Sequence, residues 1–315
     1  MSNIAESGAD HLVVTFEDGT TATGSHLAGC DGSRSRAREI LCTLRGSDWQ
    51  NKGLPVRFLG ASVVHPAEVG RRLQAECDPL FFQGVDPKTN AFMFCSVQDT
   101  PANNDREQRN TYTYQVIVSW PYRAGFLSRD EAMEVPASND ARLSLLKEIT
   151  SNWRAPFRDI VHDIPDSIPI RSISLEDWPP QANTWETFDG RASLIGDAAH
   201  AMTMCKSRLK TLHSSIDTDL CKHPTDRGEA ANHGITDVSR WLEFRLATLQ
   251  TPDPVGRRAA SEAYEAEMIG RTHLAVLASR QACLDAHDYA RITDNSPLIS
   301  KRAVVANLAP GGMVT

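Results

Sequence analysis

The 315-residue sequence has no Cys-x-x-Cys pair, no Gly-x-Ser-x-Gly elbow and no Gly-x-Gly-x-x-Gly turn. The first absence argues against a disulfide framework, and the second against a serine hydrolase of the α/β type. No apolar run approaches the roughly 20 residues that a membrane-spanning helix needs. The opening residues, Met-Ser-Asn-Ile-Ala-Glu-Ser-Gly, lack the basic and apolar pattern of a secretion signal. Positive charge is in deficit, with 33 Lys and Arg against 40 Asp and Glu and a net charge of -7. The basic residues are scattered, so nucleic acid is not an expected partner. Seven cysteines, an odd number, suit a reducing compartment better than a disulfide framework. Cys205, His213, Cys221 and His223 fit no common zinc spacing, and no metal site is expected. With mean hydropathy of -0.36, these totals predict a soluble, cytoplasmic, acidic protein.

What is present is a mixed α/β pattern. Residues 11–17 alternate and read as a strand, Asp18-Gly19 as a hairpin turn, and 20–26 as the returning strand. A short apolar run at 27–30 leads into Asp31-Gly32. A helix over 36–44 follows, with Asp31 or Ser33 as its expected cap. From 54 to 120 the signal is mostly β, with runs at 56–64, 91–97 and 112–120, and 98–110 reads as an exposed loop. Helices are expected over 140–153 and 157–162. Leu194 and Ile195 end a buried strand that turns at Gly196-Asp197. A helix opening near Arg227 runs past Trp241 and Phe244 until Pro252 and Pro254. A long amphipathic helix then occupies about 256–291, and the tail after 299 is expected to fray.

Two constellations carry chemistry. Asp31-Gly32-x-x-Ser35-x-x-Arg38 lies at the end of one strand, and Gly196-Asp197-Ala198-Ala199-His200 at the end of another. A carboxylate at the carboxyl edge of a sheet sits where open α/β folds bind ligands. Taken singly, Asp31-Gly32 reads as a turn before a helix and Asp197 as a cap; His200 and His233 read as packed or surface histidines.

The two motifs, in this order, with a β-rich region between them and Arg227-Gly228-Glu229-Ala230-Ala231-Asn232-His233-Gly234 after them, resemble the flavoprotein monooxygenases of the p-hydroxybenzoate hydroxylase type. The likeness covers about 13–277 and leans toward the fungal enzymes of secondary metabolism. It implies that Gly196 and Asp197 hold the ribityl hydroxyls of FAD. It implies that Asp31, Gly32 and Arg38 support the pyrophosphate side and the nicotinamide donor. Gly228, Ala230, Ala231 and Asn232, at the amino end of a helix, would face the flavin pyrimidine edge. Reduced flavin carries negative charge there, and free N–H groups stabilise it.

The implied reaction is NAD(P)H-driven oxygenation of a small aromatic or polyketide-like substrate by O2, through a hydroperoxyflavin; it needs no protein nucleophile, so no catalytic residue is named. The implied fold is a partial FAD-binding Rossmann-like domain (1–53 and 186–290, with an insert at 205–226), a β-sheet substrate layer (54–185), carboxyl-terminal helices and a tail (291–315). Relatives of this type open on a Gly-x-Gly-x-x-Gly unit, and none is present here. The insert also interrupts the usual run from the Gly-Asp turn to the next helix. Both features are expected to come from a late start and a retained intron. The alternative expectation is a non-catalytic fragment that does not retain FAD.

Overall fold

The computed structural model describes residues 1–8, 10–104, 110–203, 229–250 and 253–299. The insert, Gly228 and the tail from residue 300 lie outside the described residues, as do the four Cys and His positions weighed as zinc ligands.

The chain opens with β1 (Asn3–Ser7), antiparallel to β2 (His11–Thr15), which turns back through Asp18-Gly19 into β3 (Thr21–Gly24). The turn works because Gly19 takes φ +84° and the Asp18 carboxylate accepts from the Thr20 amide at 3.0 Å and its hydroxyl at 2.7 Å. The short strand β4 (Leu27–Gly29) leads to α1 (Arg36–Arg45). The capping residue is Ser35, not Ser33: its hydroxyl accepts from the Arg38 amide at 2.9 Å. Asp31 shares the task, taking the Arg36 and Ala37 amides on one carboxylate oxygen. Gly46, at φ +73°, closes the helix in the left-handed conformation.

A two-residue strand β5 (Lys52–Gly53) precedes β6 (Val56–Pro66), α2 (Ala67–Glu76), β7 (Phe81–Val85), β8 (Phe92–Asp99), the single turn α3 (Pro101–Asn104) and β9 (Thr111–Pro121). Helix α2 is a departure from the all-strand reading of 54–120. Strands β6–β9 form one antiparallel sheet in the order β6-β9-β8-β7. Its two faces are both covered. Leu59, Val63, Met93, Val116 and Trp120 pack on one side against α4 (Asn139–Thr150) and α5 (Phe157–His162). On the other side Phe58, Ile117 and Phe92 meet residues near the end of the last long helix, among them Ala282, Cys283 and Ala286.

After β10 (Glu176–Asp177), paired with β5, the chain enters β11 (Ala192–Leu194). This strand lies parallel to β4, with Ala192 opposite Leu27 and Leu194 opposite Gly29. Helix α6 (Glu229–Gln250) and α7 (Pro254–Ala286) complete the described chain, with Pro254 at the start of α7 and Asp253 as its cap. A second core gathers Ile4, Leu12, Leu41, Leu194, Ala199, Tyr264 and Met268. No helix among the described residues is long and apolar enough to cross a membrane.

Candidate active site at the ends of two parallel strands

Parallel pairing of β4 with β11 brings together turns that are about 165 residues apart in the chain. The Ile195 amide donates to the Gly29 carbonyl at 2.9 Å, so the ladder runs to the last residue before each turn. Gly29 is a glycine of necessity. A Cβ there would lie 2.8 Å from the Ala37 Cβ and 2.9 Å from a Leu194 methyl. Strand β4, helix α1 and strand β11 therefore sit close, and Asp31 and Asp197 both follow the carboxyl ends of the strands.

Arg38 fastens the two turns. It is buried, and its five donors are all spent inside the protein: on the carbonyls of Trp49, Ser33, Asp197 and Ala198 and on the Asn51 side chain. Its guanidinium also lies 4.8 Å from the centre of the Trp178 ring. The Asp31 carboxylate is occupied as well, by Ser35 at 2.5 Å and by the Arg36 and Ala37 amides. Burial alone would raise its pKa, but these three donors outweigh it and hold it below the usual range.

Asp197 differs from both. It is exposed, and its carboxylate makes no hydrogen bond or ion pair among the described residues. It stands in a single 3-10 turn over Gly196–Ala198, with Gly196 at φ +64° and the small residues Ala198 and Ala199 fully buried behind it. Gly32, at φ +82°, has open space on its Cβ side.

A second acid, Asp237 on α6, holds this turn from the side and is fully buried. One of its oxygens accepts from the Gly196 amide at 2.7 Å and from His200 Nε2 at 2.7 Å. The other accepts from Arg271 of α7 at 2.6 Å. Burial pushes the Asp237 carboxyl up; the bond from His200, the charge on that ring, Arg271 and the Gly196 amide together bring it below its ordinary value. Arg271 also donates to His233 Nδ1 at 2.9 Å, and the His233 and His200 rings meet edge to face. His233 is thus half-buried in a network, not a plain surface histidine.

Of the residues nominated on α6, Ala230 is half-buried and Ala231 and Asn232 are exposed. The glycine that the structure sets against the turn is Gly234, whose added Cβ would stand 3.7 Å from the Gly196 Cα. Sequence reasoning passed over Gly234, Asp237, Arg271 and Asn51. A signal for Asp237 existed: 233, 237, 241 and 244 share one helix face, and an acid inside the stripe of Trp241 and Phe244 needs a buried partner.

This mixed fold, a parallel strand pair ending in two anchored turns together with a separate antiparallel sheet, is shared with FAD-dependent hydroxylases of known structure. The structure of Klebsiella pneumoniae HpxO complexed with FAD and uric acid matches at TM-score 0.61 and 18% identity, over 92% of this chain and 60% of that one. In sequence, a probable FAD-dependent monooxygenase of Arthroderma benhamiae is 40% identical over 310 residues, 96% of this chain and 66% of the relative. The FAD-dependent monooxygenase dbaB of Emericella nidulans is 31% identical over 256 residues, 81% of this chain and 57% of the relative. No protein-family model matches. The chain belongs to the FAD-dependent monooxygenase family, and it spans about two thirds or less of the length of these relatives.

Proposed function

We propose that the chain carries the flavin-facing turns of an FAD-dependent monooxygenase that draws electrons from NAD(P)H and oxygenates a small aromatic or polyketide-like molecule with O2. The observation that carries this reading is the free Asp197 carboxylate. It is exposed, unpaired among the described residues, and mounted on a turn that Asp237 and Arg38 fix from two sides. An unspent carboxylate with both oxygens available suits neighbouring hydroxyls of a ribityl chain, which donate to it. The donor chemistry of the site therefore fits FAD.

When bound, FAD supplies the oxygen-activating chemistry. The residues of this chain bind and orient. Asp197 accepts from the ribityl hydroxyls, and Gly196 lets the backbone approach. In this reading Ala230, Ala231 and Asn232, in the amino-terminal part of α6, face the flavin, as does Gly228, which lies outside the described residues. Gly32 and Asp31 shape the neighbouring turn. Arg38, with every donor engaged, is a positioning residue that acts through the turns it joins. In this division 1–53 and 186–290 serve the flavin, and 54–185 forms the substrate layer.

The second reading is a chain that does not retain FAD. Purification without added flavin, followed by FAD titration with fluorescence quenching, separates the two. Yellow protein, or saturable quenching that Asp197→Ala abolishes, together with NADPH oxidation, supports the enzyme. Colourless protein with no saturable quenching supports the second reading.

A further inference from the structure

Arg271 stands on α7, outside both turns and outside every motif that the sequence singles out. It is half-buried, and its fork is engaged on both helices. Nη2 donates to Asp237 Oδ1 at 2.6 Å, and Nε and Nη2 donate to the Glu267 carboxylate at 2.9 and 3.2 Å. Nη1 donates to His233 Nδ1 at 2.9 Å, which leaves that ring's proton on Nε2 and the ring neutral. One guanidinium thus locks α7 to α6, and it stands between the like charges of Asp237 and Glu267.

What Arg271 does for the ligand-side turn follows from Asp237. That carboxylate is fully buried, and its Oδ2 takes both the Gly196 amide and His200 Nε2 at 2.7 Å. Cys30, just past β4, and Tyr264 of α7 also lie within reach of its charge; burial raises the pKa of each, so both are neutral. With Arg271 in place the acid is ionised, and its bonds to the turn are charge-assisted, roughly twice as strong as neutral ones. Without Arg271, burial acts against the ionised form, and a neutral acid is the weaker acceptor. Gly196 immediately precedes Asp197 and takes φ +64°, so its amide bond fixes the direction in which the turn sets off. A path of contacts therefore runs from Arg271 through Asp237 and Gly196 to Asp197.

We propose that Arg271 is a positioning residue for FAD, acting through Asp237 and Gly196 and not by contact, and that it sets how tightly the Asp197 turn holds the ribityl hydroxyls. The inference rests on the flavin reading of the site. The test is FAD titration of the full chain, read by quenching of flavin fluorescence, in the wild type, Arg271→Met, Arg271→Lys, Asp237→Asn and the Arg271→Met/Asp237→Asn double variant. Arg271→Met is expected to weaken FAD on the order of tenfold. Arg271→Lys keeps the charge beside Asp237 but not the fork, and should weaken it only about threefold. The double variant should bind no more weakly than the weaker single variant, since both act along one path. Hydrogen exchange of the flavin-free chain gives a second measurement, valid even where Arg271→Met does not fold: amides of residues 195–199 should exchange faster in Arg271→Lys than in the wild type. Equal FAD affinity in the wild type and Arg271→Met, no recovery in Arg271→Lys, additive losses in the double variant, or unchanged exchange at 195–199 would overturn the inference and leave the flavin reading standing. A wild type without saturable quenching overturns the flavin reading, and the inference with it.

Discussion

Arg38 and Ala198 stand 160 residues apart in the chain and 3.1 Å apart in space, guanidinium to carbonyl. The same side chain reaches Ser33 and Asn51 on its other fork, so one cation determines how far apart the two ligand-side turns sit.

Replacing Arg38 by Ala leaves four buried or half-buried carbonyls short of a donor. The expected cost is about 3 kcal/mol of folding stability, read from urea denaturation. Arg38→Lys keeps charge but not the fork, and should recover less than half of the loss. A stability within 0.5 kcal/mol of wild type in Arg38→Ala, on the scale of ordinary surface changes, would contradict the tie described here.

Asp237 gives a pH signature. Its folded pKa lies below its unfolded value of about 3.9, so its contribution is fully present above that pH and is lost as pH falls through the folded pKa. Asp237→Asn should therefore be less stable than wild type at pH 6, with the gap shrinking below about pH 4. Denaturation midpoints at pH 6 and pH 3.5 measure this, and a constant gap would count against it.

Glu265 runs the other way. Burial pushes its carboxyl up to about 7, against the Trp185 indole N–H at 3.3 Å and the charge of Arg245. An acid with a raised folded pKa binds its proton more tightly when folded, so stability declines as pH rises from about 4.3 to about 7 and is flat above. Glu265→Gln should remove that decline and come out more stable than wild type at pH 8, by about 1–3 kcal/mol. Parallel pH profiles for the two proteins would refute it.

Gly29→Ala tests the close packing of β4. The new methyl would meet the Ala37 Cβ at 2.8 Å and a Leu194 methyl at 2.9 Å; the first is fixed to the backbone and the second belongs to a fully buried side chain. A loss of about 1–3 kcal/mol is expected. A companion Ala37→Gly change relieves one clash, so partial rescue in the double variant identifies its source; purely additive effects would place the strain elsewhere.

The hairpin at 11–24 was legible because period-two alternation and an Asp-Gly turn agree with each other. The three long strands were legible from their β-rich runs, α4 from the helical spacing of Leu143, Leu146 and Ile149, and α1 from its composition and capping residues. Strand β1 was not, because only Ile4 of its five residues is buried and the others are Asn, Ala, Glu and Ser. Helix α2 was hidden by Gly70 in its middle, which reads as a breaker. The structure gives the reason for the glycine: a Cβ there would stand 2.2 Å from the Tyr112 ring. Asp31 and Asp197 could be found because a strand ending in a turn is a local pattern. The helix face of 233, 237, 241 and 244 marks Asp237 as an acid in need of a partner, but its partners Gly196 and Arg271 are not encoded in any local period, since they depend on how α6 and α7 lie against a turn about 40 residues away.

Helix α7 is 33 residues long, about 50 Å of rigid rod. Near its middle, Tyr264 donates to the Leu194 carbonyl of β11 at 3.0 Å; near its end, Ala282 and Cys283 press on the antiparallel sheet. A single girder under both cores makes their melting one event: heating should show a common midpoint whether the probe reports on Trp120 or on Trp185.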